Sequence, residues 1–315
     1  MEYKYLFTIF TPTYNRAYAL NRVYQSLKNQ TNKNFEWIIV DDGSVDNTKT
    51  LIENWIQEPD FPIRYIYQEN KGKYIAFNRA LSIAQGELFL TFDSDDECKS
   101  NALERFGFAW NNIAPDIRNN FSGVTCLCED QLGNLVGNRF PKDNFDSNSI
   151  EVRYRYKVKG EKWGFQRTNI LKENIFPVIE GEKYIPEGVV WDTLARNYKV
   201  RFINEVLRIY WIDKSQSSDQ ITHITDPGRH AAGQVLHKKS QLNNDMGWFK
   251  YAPIELTRTA VHYSRFSFHA NIQIRSQLNS LTNLKAKILF LCTVLIGYLV
   301  YKKDKILYKQ KDQKT

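Results

Sequence analysis

Residues 88–96 read Leu-Phe-Leu-Thr-Phe-Asp-Ser-Asp-Asp, an apolar run that ends in three acids, Asp93, Asp95 and Asp96. Carboxylates this close repel one another and raise each other's pKa unless a cation lies between them. A hard divalent ion with oxygen ligands, Mn²⁺ or Mg²⁺, relieves that repulsion and keeps open positions for substrate phosphates. The plainer alternative is a solvated acidic turn, with Asp95 or Asp96 favouring the N-terminus of the next helix. Two further polar clusters close apolar runs in the same way. Asp41-Asp42-Gly43-Ser44 follows residues 35–40, and Thr11-Pro12-Thr13-Tyr14-Asn15-Arg16 follows residues 5–10.

The elements that carry these clusters alternate. Short apolar or β-branched runs at 5–10, 35–40, 63–67 and 88–92 predict strands. Between them, 19–29, the stretch after Asp46-Asn47-Thr48, and 74–84 predict helices. Gly86 reads as the glycine that closes the last of these. Strand and helix alternate four times in about ninety residues, which predicts a doubly wound, mostly parallel α/β sheet. Ligands bind such sheets at the carboxyl ends of the strands, near the switch in strand order, and all three polar clusters fall at such ends. The loop at 11–16 contains no glycine, which speaks against a dinucleotide fold, a P-loop and a sugar-nucleotide pyrophosphorylase loop. Asp46 and Thr48 are expected to cap a helix, and Asp41 to shape a turn.

Pro12-Thr13-Tyr14-Asn15-Arg16, Asp41-Asp42-Gly43-Ser44, Asn70-Lys71-Gly72, Asn78-Arg79-Ala80-Leu81, Gly86-Glu87 and Asp93-Ser94-Asp95-Asp96 together resemble the family 2 glycosyltransferases. That family has the A-type nucleotide-sugar (GT-A, Rossmann-like) fold, and the resemblance covers roughly residues 5–130. It implies an inverting transfer of a sugar from a nucleoside diphosphate sugar, UDP-linked as a rule, to an acceptor hydroxyl. It further implies that Pro12 and Tyr14 line the nucleobase pocket and that Asp42 hydrogen-bonds the base. Lys73 or its neighbour Lys71 then approaches the nucleotide, Asp93 faces the ribose and the metal-bound side, and Asp95 ligates Mn²⁺ or Mg²⁺ on the diphosphate.

The second half is less regular. Helix is expected at 101–113, strands at 121–129, about Val136, 163–167 and 200–211, and a turn at 131–134. The basic, aromatic stretch Arg153-Tyr154-Arg155-Tyr156-Lys157 reads as a solvated helix face rather than a nucleic-acid site. Residues 183–192, with the helix after them, resemble the family's acidic segment before its last core strand. Where the family often has Glu-Asp and uses the second acid as catalytic base, this chain has Glu187-Gly188. Glu187 is the first candidate base and Asp192 the second, the alternative for Glu187 being a helix N-terminal acid. Trp163, Trp191 and Trp211 are expected in the core rather than on an acceptor sugar. His223, His230 and His237 recur every seven residues; His230 and His237 lie two helical turns apart, too far to share an ion, while His223 is a candidate metal ligand beside Asp95.

Composition bounds the rest. Of 315 residues, 42% are hydrophobic and 25% charged, as in a globular protein with a sizeable core. Of the eight formal positive charges, six belong to the tail from Leu284, which has eight Lys against two Asp. A body this close to neutral argues against nucleic-acid binding. Cys98, Cys126, Cys128 and Cys292 are too few and scattered for a disulfide scaffold. The N-terminus shows no signal peptide. Residues 226–281 are helical in pattern. An apolar run at 288–301 is flanked by Lys285, Lys287, Lys302, Lys303 and Lys305 and is short for a bilayer span. It predicts an interfacial helix held by anionic lipid. The expected organisation is a catalytic domain at 1–218, a helical extension at 219–283 and a membrane-associating tail at 284–315. The expected partners are a nucleoside diphosphate sugar and a glycan or lipid-linked acceptor, met at the cytoplasmic face of the membrane by a peripheral or monotopic protein. A nucleotidyltransferase making the sugar nucleotide, or a non-catalytic nucleotide-sugar-binding membrane protein, are the alternatives.

Overall fold

The computed structural model describes residues 2–212 and 227–312, the last five of these by backbone alone. Contacts divide the chain into two compact units, Met1–Phe176 with Thr193–Ile212, and Pro177–Asp192 with Asp213–Thr315.

The first unit runs β1 (Tyr5–Thr13), α1 (Ala17–Lys28), β2 (Phe35–Asp41), α2 (Thr48–Gln57), β3 (Ile63–Tyr67), α3 (Lys73–Ile83), β4 (Gly86–Thr91) and β5 (Glu97–Cys98). It continues with α4 (Ala102–Asn111), β6 (Phe121–Asp130), β7 (Phe145–Ser147), α5 (Ser149–Tyr154), β8 (Lys162–Arg167) and α6 (Thr168–Glu173). The division falls inside α7 (Gly188–Asn197), after which β9 (Lys199–Tyr210) completes the sheet.

The strand order is β3-β2-β1-β4-β8-β6-β9-β5, with β7 on β9. The pairs β2–β3, β1–β2 and β1–β4 are parallel. β8 then lies antiparallel between β4 and β6, and β6 pairs in parallel with β9. All seven residues of β2 are buried, as befits a central strand covered on both faces. The helix α1 turns Leu20, Val23, Tyr24 and Leu27 inward at helical spacing. Phe7, Ile9, Trp37, Leu88, Leu90, Phe106 and Phe165 form the main core between sheet and helices.

One expected helix end is corrected. Gly86 does not close α3; it opens β4 opposite Tyr5. A Cβ there would lie 2.2 Å from the Thr8 backbone nitrogen, so the strand approaches β1 more closely than any side chain permits. Beside it, the buried Glu36 accepts from Thr8 Oγ1 at 2.7 Å, the Gln85 amide at 2.7 Å and Arg64 Nη1 at 3.1 Å. That network ties β1, β2, β3 and the entry to β4 at their shared end.

In the second unit, α8 (Ala231–Asn244), α9 (Pro253–His269), α10 (Ile274–Asn279) and α11 (Leu284–Asp312) follow one another. Their core is Val235, Leu242, Met246, Ala260, Tyr263, Leu281, Ala286 and Phe290. Two features depart from the linear division expected from sequence. Residues 177–192 group with the C-terminal helices, because Glu182 and Asp192 set their carboxylates against α8, as described below. The stretch from 284 is not separate either. Phe290 packs on Tyr263, and Arg265 forks onto Asp304 at 2.6 and 2.8 Å. α11 is also longer than the apolar run suggests. Leu284–Leu307, 24 residues, is long and apolar enough to cross a membrane by length and composition. Leu284, Ile288, Leu291, Leu295 and Leu299 on it are exposed.

Candidate active site

The parallel half of the sheet changes direction of growth between β1 and β4, and the polar clusters collect there. Three loops are stitched together at the carboxyl ends of β1, β2 and β3. The Asp42 amide donates to Thr13 O at 2.8 Å. Asn15, at φ +51°, donates its amide to Ser44 Oγ at 2.8 Å and accepts from the Val45 amide at 2.8 Å. Asparagine tolerates this left-handed backbone better than most residues. Gly43, at φ +91°, brings its backbone so close to Asn70 that a Cβ would lie 3.0 Å from the Asn70 nitrogen.

Asp42 is buried at the centre of this arrangement. Its Oδ1 accepts from Gln68 Nε2 and the Lys71 amide, and its Oδ2 from the Gly72 amide, each at 2.8 Å. Gly72 immediately precedes α3, so Asp42 fixes the turn from which Lys73 projects. Asp41 shapes the turn as expected: Oδ1 accepts from the Ser44 amide at 2.8 Å and Oδ2 from Tyr65 Oη at 2.9 Å. Burial and the Asp41 carboxylate both push the Tyr65 phenol above its ordinary value. Asp46 joins the starts of two helices, accepting from the Ala17 amide at 3.1 Å and the Thr48 amide at 3.0 Å. Pro12 is half-buried and Tyr14 exposed on the β1 loop.

The three acids beyond β4 have three different surroundings. Asp93 Oδ1 receives Lys73 Nζ at 2.7 Å, and its Oδ2 receives Arg208 Nη2 at 3.0 Å. Burial pushes the Asp93 carboxyl up, but the two cations more than offset it and hold it well below the usual carboxylate range. Asp96 is fully buried, receives Arg208 Nη2 on Oδ2, and accepts the Trp211 amide on Oδ1 at 3.0 Å. Burial, together with the charges of Asp93 and Asp95, pushes Asp96 up to about 7 despite Arg208. Asp95 is the open one. Its side chain is 34% exposed and faces Arg16 Nη1 only at 3.8 Å, while Arg22 Nη2 holds its backbone carbonyl at 2.9 Å.

Among the described residues no group of three metal-ligating side chains is assembled. The donor set at Asp95 fits Mn²⁺ or Mg²⁺ bound by one carboxylate and completed by phosphate oxygens and water, the usual arrangement for these ions on nucleotides. Asp93, tied to two cations, faces the same loop. His223 lies outside the described residues. Reading the sequence did not single out Gln68, Arg22 or Arg208. For Arg208 a signal existed, since a cation inside the apolar strand Val206-Leu207-Arg208-Ile209 must face an anion when buried.

Glu187 and Asp192 belong to the second unit. Glu187 is exposed and accepts from Trp191 Nε1 at 3.3 Å. Asp192 is buried, and its Oδ2 meets His237 Nε2 and Gln241 Nε2, both at 3.0 Å. Glu182 Oε1 pairs with His230 Nδ1 at 2.7 Å. The two histidines at seven-residue spacing, His230 just before α8 and His237 on it, thus each have their own acid. Gly188, which stands where an acid was expected, lies against His237, and a Cβ there would sit 2.4 Å from the ring Nε2.

The sequence model described as "Glycosyl transferase family 2" matches residues 8–117. The glycosyltransferase GlyG of Streptococcus pneumoniae is 37% identical over 229 residues, spanning 65% of this chain and 70% of that protein. The chain belongs to glycosyl transferase family 2. This transferase is also 25% identical over 312 residues to a Campylobacter jejuni protein, spanning 95% of this chain and 96% of that one. That relative is described as GalNAc(5)-diNAcBac-PP-undecaprenol beta-1,3-glucosyltransferase. Among solved structures, S. aureus TarS 1-349 in complex with UDP superposes with a TM-score of 0.60 at 18% identity, covering 99% of this chain and 92% of that one. This is a likeness of fold. The transferase therefore has the mixed α/β sheet of the GT-A fold expected from its sequence.

Proposed function

We propose that this family 2 transferase moves a hexose-type sugar from a UDP-linked donor to a hydroxyl of a glycan or lipid-linked acceptor, with inversion, in cell-surface polysaccharide synthesis. The observation that carries the reading is the convergence of Asp42, Lys73, Asp93 and Asp95 at the β1–β4 switch point. The full-length likeness to a relative named for an undecaprenol-linked acceptor supports the acceptor class.

In this reading Pro12 and Tyr14 flank the base and the one remaining lone pair of Asp42, on Oδ2, accepts from it. Lys73 leaves Asp93 part of its charge to share with the nucleotide. Asp95 holds Mn²⁺ or Mg²⁺, which when bound offsets the charge gathering on the leaving diphosphate. The acceptor hydroxyl must lose its proton to a carboxylate in hydrogen-bond reach, and a single displacement then inverts the anomeric carbon. Glu187 is the better base, because it is exposed whereas Asp192 is buried and held by His237 and Gln241. The exposed leucines of α11 and the lysines that lie within it on either side of the apolar run support a peripheral or monotopic attachment to the cytoplasmic membrane face.

The test is a donor screen, following nucleoside diphosphate release with and without a membrane lipid extract. Release from a UDP-sugar that rises on adding the extract supports the reading. Release of pyrophosphate, or no dependence on the extract with any donor, overturns it.

A further inference from the structure

Among the described residues, Arg208 is the one cation that touches two of the three acids beyond β4. Its side chain is 6% exposed, and it projects from β9 to place Nη2 on both Asp93 and Asp96. Asp96 is further fixed by the Trp211 amide from the end of the same strand. Trp211 in turn carries Arg22 at 4.3 Å from its ring centroid, and Arg22 grips the Asp95 carbonyl. Arg208 Nε is buried and has no hydrogen-bond partner among the described residues. A guanidinium buried with a donor unpaired is costly to desolvate, so its retention here calls for a gain elsewhere.

We infer that Arg208 is a positioning residue of the donor site, an internal cation that occupies one oxygen each of Asp93 and Asp96 and leaves Asp95 as the most loosely paired acid for a divalent metal. Asp93, Asp95 and Asp96 face Lys73, Arg208 and, at 3.8 Å, Arg16, so the three carboxylates are met by three cations, of which Arg16 is the most loosely held. A single weakly held carboxylate binds Mn²⁺ or Mg²⁺ poorly without phosphate oxygens to complete the shell. The ion would therefore arrive and leave with the nucleotide rather than reside in the protein. Without Arg208 the same four-residue turn would hold Asp96 with no cation among the described residues and Asp93 with Lys73 alone beside the loosely paired Asp95, a set of oxygens that favours a resident cation. This inference rests on the assignment of a metal to Asp95 made above.

The experiment measures Mn²⁺ binding to the full chain by electron paramagnetic resonance, with and without UDP. Wild type is expected to bind Mn²⁺ weakly alone and about tenfold or more tightly with UDP, and Asp95→Asn to lose the UDP-dependent part. Arg208→Gln is expected to bind Mn²⁺ without UDP about tenfold or more tightly than wild type, as released carboxylates add charge to the shell. Arg208→Lys, which keeps the cation, is expected to stay near wild type. No nucleotide-free gain in Arg208→Gln, or an equal gain in Arg208→Lys, overturns the inference while the metal assignment stands. Wild type that binds no Mn²⁺ even with UDP overturns both. Should Arg208→Gln fail to fold around the buried Asp96, the double variant Arg208→Gln/Asp96→Asn removes the uncompensated charge yet still releases Asp93, and the same gain is required of it.

Discussion

Asp42→Asn should loosen the nucleotide site without touching any residue beyond β4. The wild-type carboxylate accepts three hydrogen bonds of 2.8 Å, two on one oxygen and one on the other. An amide has one acceptor oxygen. If that oxygen keeps Gln68 and Lys71, the new NH₂ meets the Gly72 amide, donor against donor. One charge-assisted bond, worth about 1.5–3 kcal/mol, is lost and a buried N–H is stranded. With about 2 kcal/mol needed to restore the turn that projects Lys73, UDP affinity should fall about 30-fold. For a unit near 200 residues the same loss lowers the melting temperature by about 4–8 °C. Calorimetric titration with UDP and a melting curve read both numbers. Amide exchange at Lys71 and Gly72 should quicken in step. Wild-type UDP affinity in Asp42→Asn would refute the reasoning, and a loss of affinity with unchanged melting and exchange would assign Asp42 to the base alone.

Glu187→Gln should lower turnover by about 10²–10⁴ with little change in UDP binding, the usual size of a general-base contribution; steady-state kinetics with an acceptor lipid checks it. Asp192→Asn should instead act through folding, since it weakens the pair with His237, and near-normal turnover per folded molecule is expected. Leu291→Glu/Leu295→Glu/Leu299→Glu changes only exposed positions of α11 and should move the protein from the membrane pellet to the supernatant at unchanged melting temperature. Deletion of the tail is a poorer test, because α11 covers Tyr263 and Ala260 of α9. His262, pushed down to about 4 by burial and by the charges of Arg265, Lys238 and Arg258, should make the helical unit acid-labile. Its folded pKa lies below the unfolded one, so the unfolded chain takes the proton first. Stability is then full above about 6.5 and lost as pH falls toward 4, by about 1–2 kcal/mol allowing for partial exposure. Denaturant unfolding at pH 7 and pH 4.5 should show this difference, and His262→Gln should shrink it.

The first four strands and three helices were legible because each is short, strongly patterned and bounded by its own turn residues, with neighbours in sequence that are neighbours in space. The places of Asp42, Asp93 and Asp95 beyond the strands came with them, since strand ends deliver side chains to one rim, whereas Lys73 opens α3 and its choice, like the roles given to all four, rests on the family resemblance. Gly86 was misread because a glycine after a helix and a glycine forced by close strand approach look alike in sequence. The antiparallel insertion of β8 between β4 and β6 was not legible, as it depends on pairings some forty and some eighty residues apart. The length of α11 was underestimated for a related reason. Lys302, Lys303 and Lys305 read as an end to the apolar run, whereas the backbone stays helical to Asp312. The grouping of residues 177–192 with the C-terminal helices was not legible, because nothing local marks Glu182 and Asp192 as partners of His230, just before α8, and His237 on it.

The contact of Gly188 with His237 constrains how such a chain can change over generations. Any side chain at 188 would bring its first carbon to 2.4 Å from the imidazole, so an acid gained there has to push that ring aside. A chain that acquires an aspartate at this position moves the His237 ring or replaces it with a smaller residue, and either change disturbs the contact that Asp192 makes with it. Three positions separated by up to forty-nine residues are thereby coupled, and related chains should pair the glycine with the histidine more often than the acid with it.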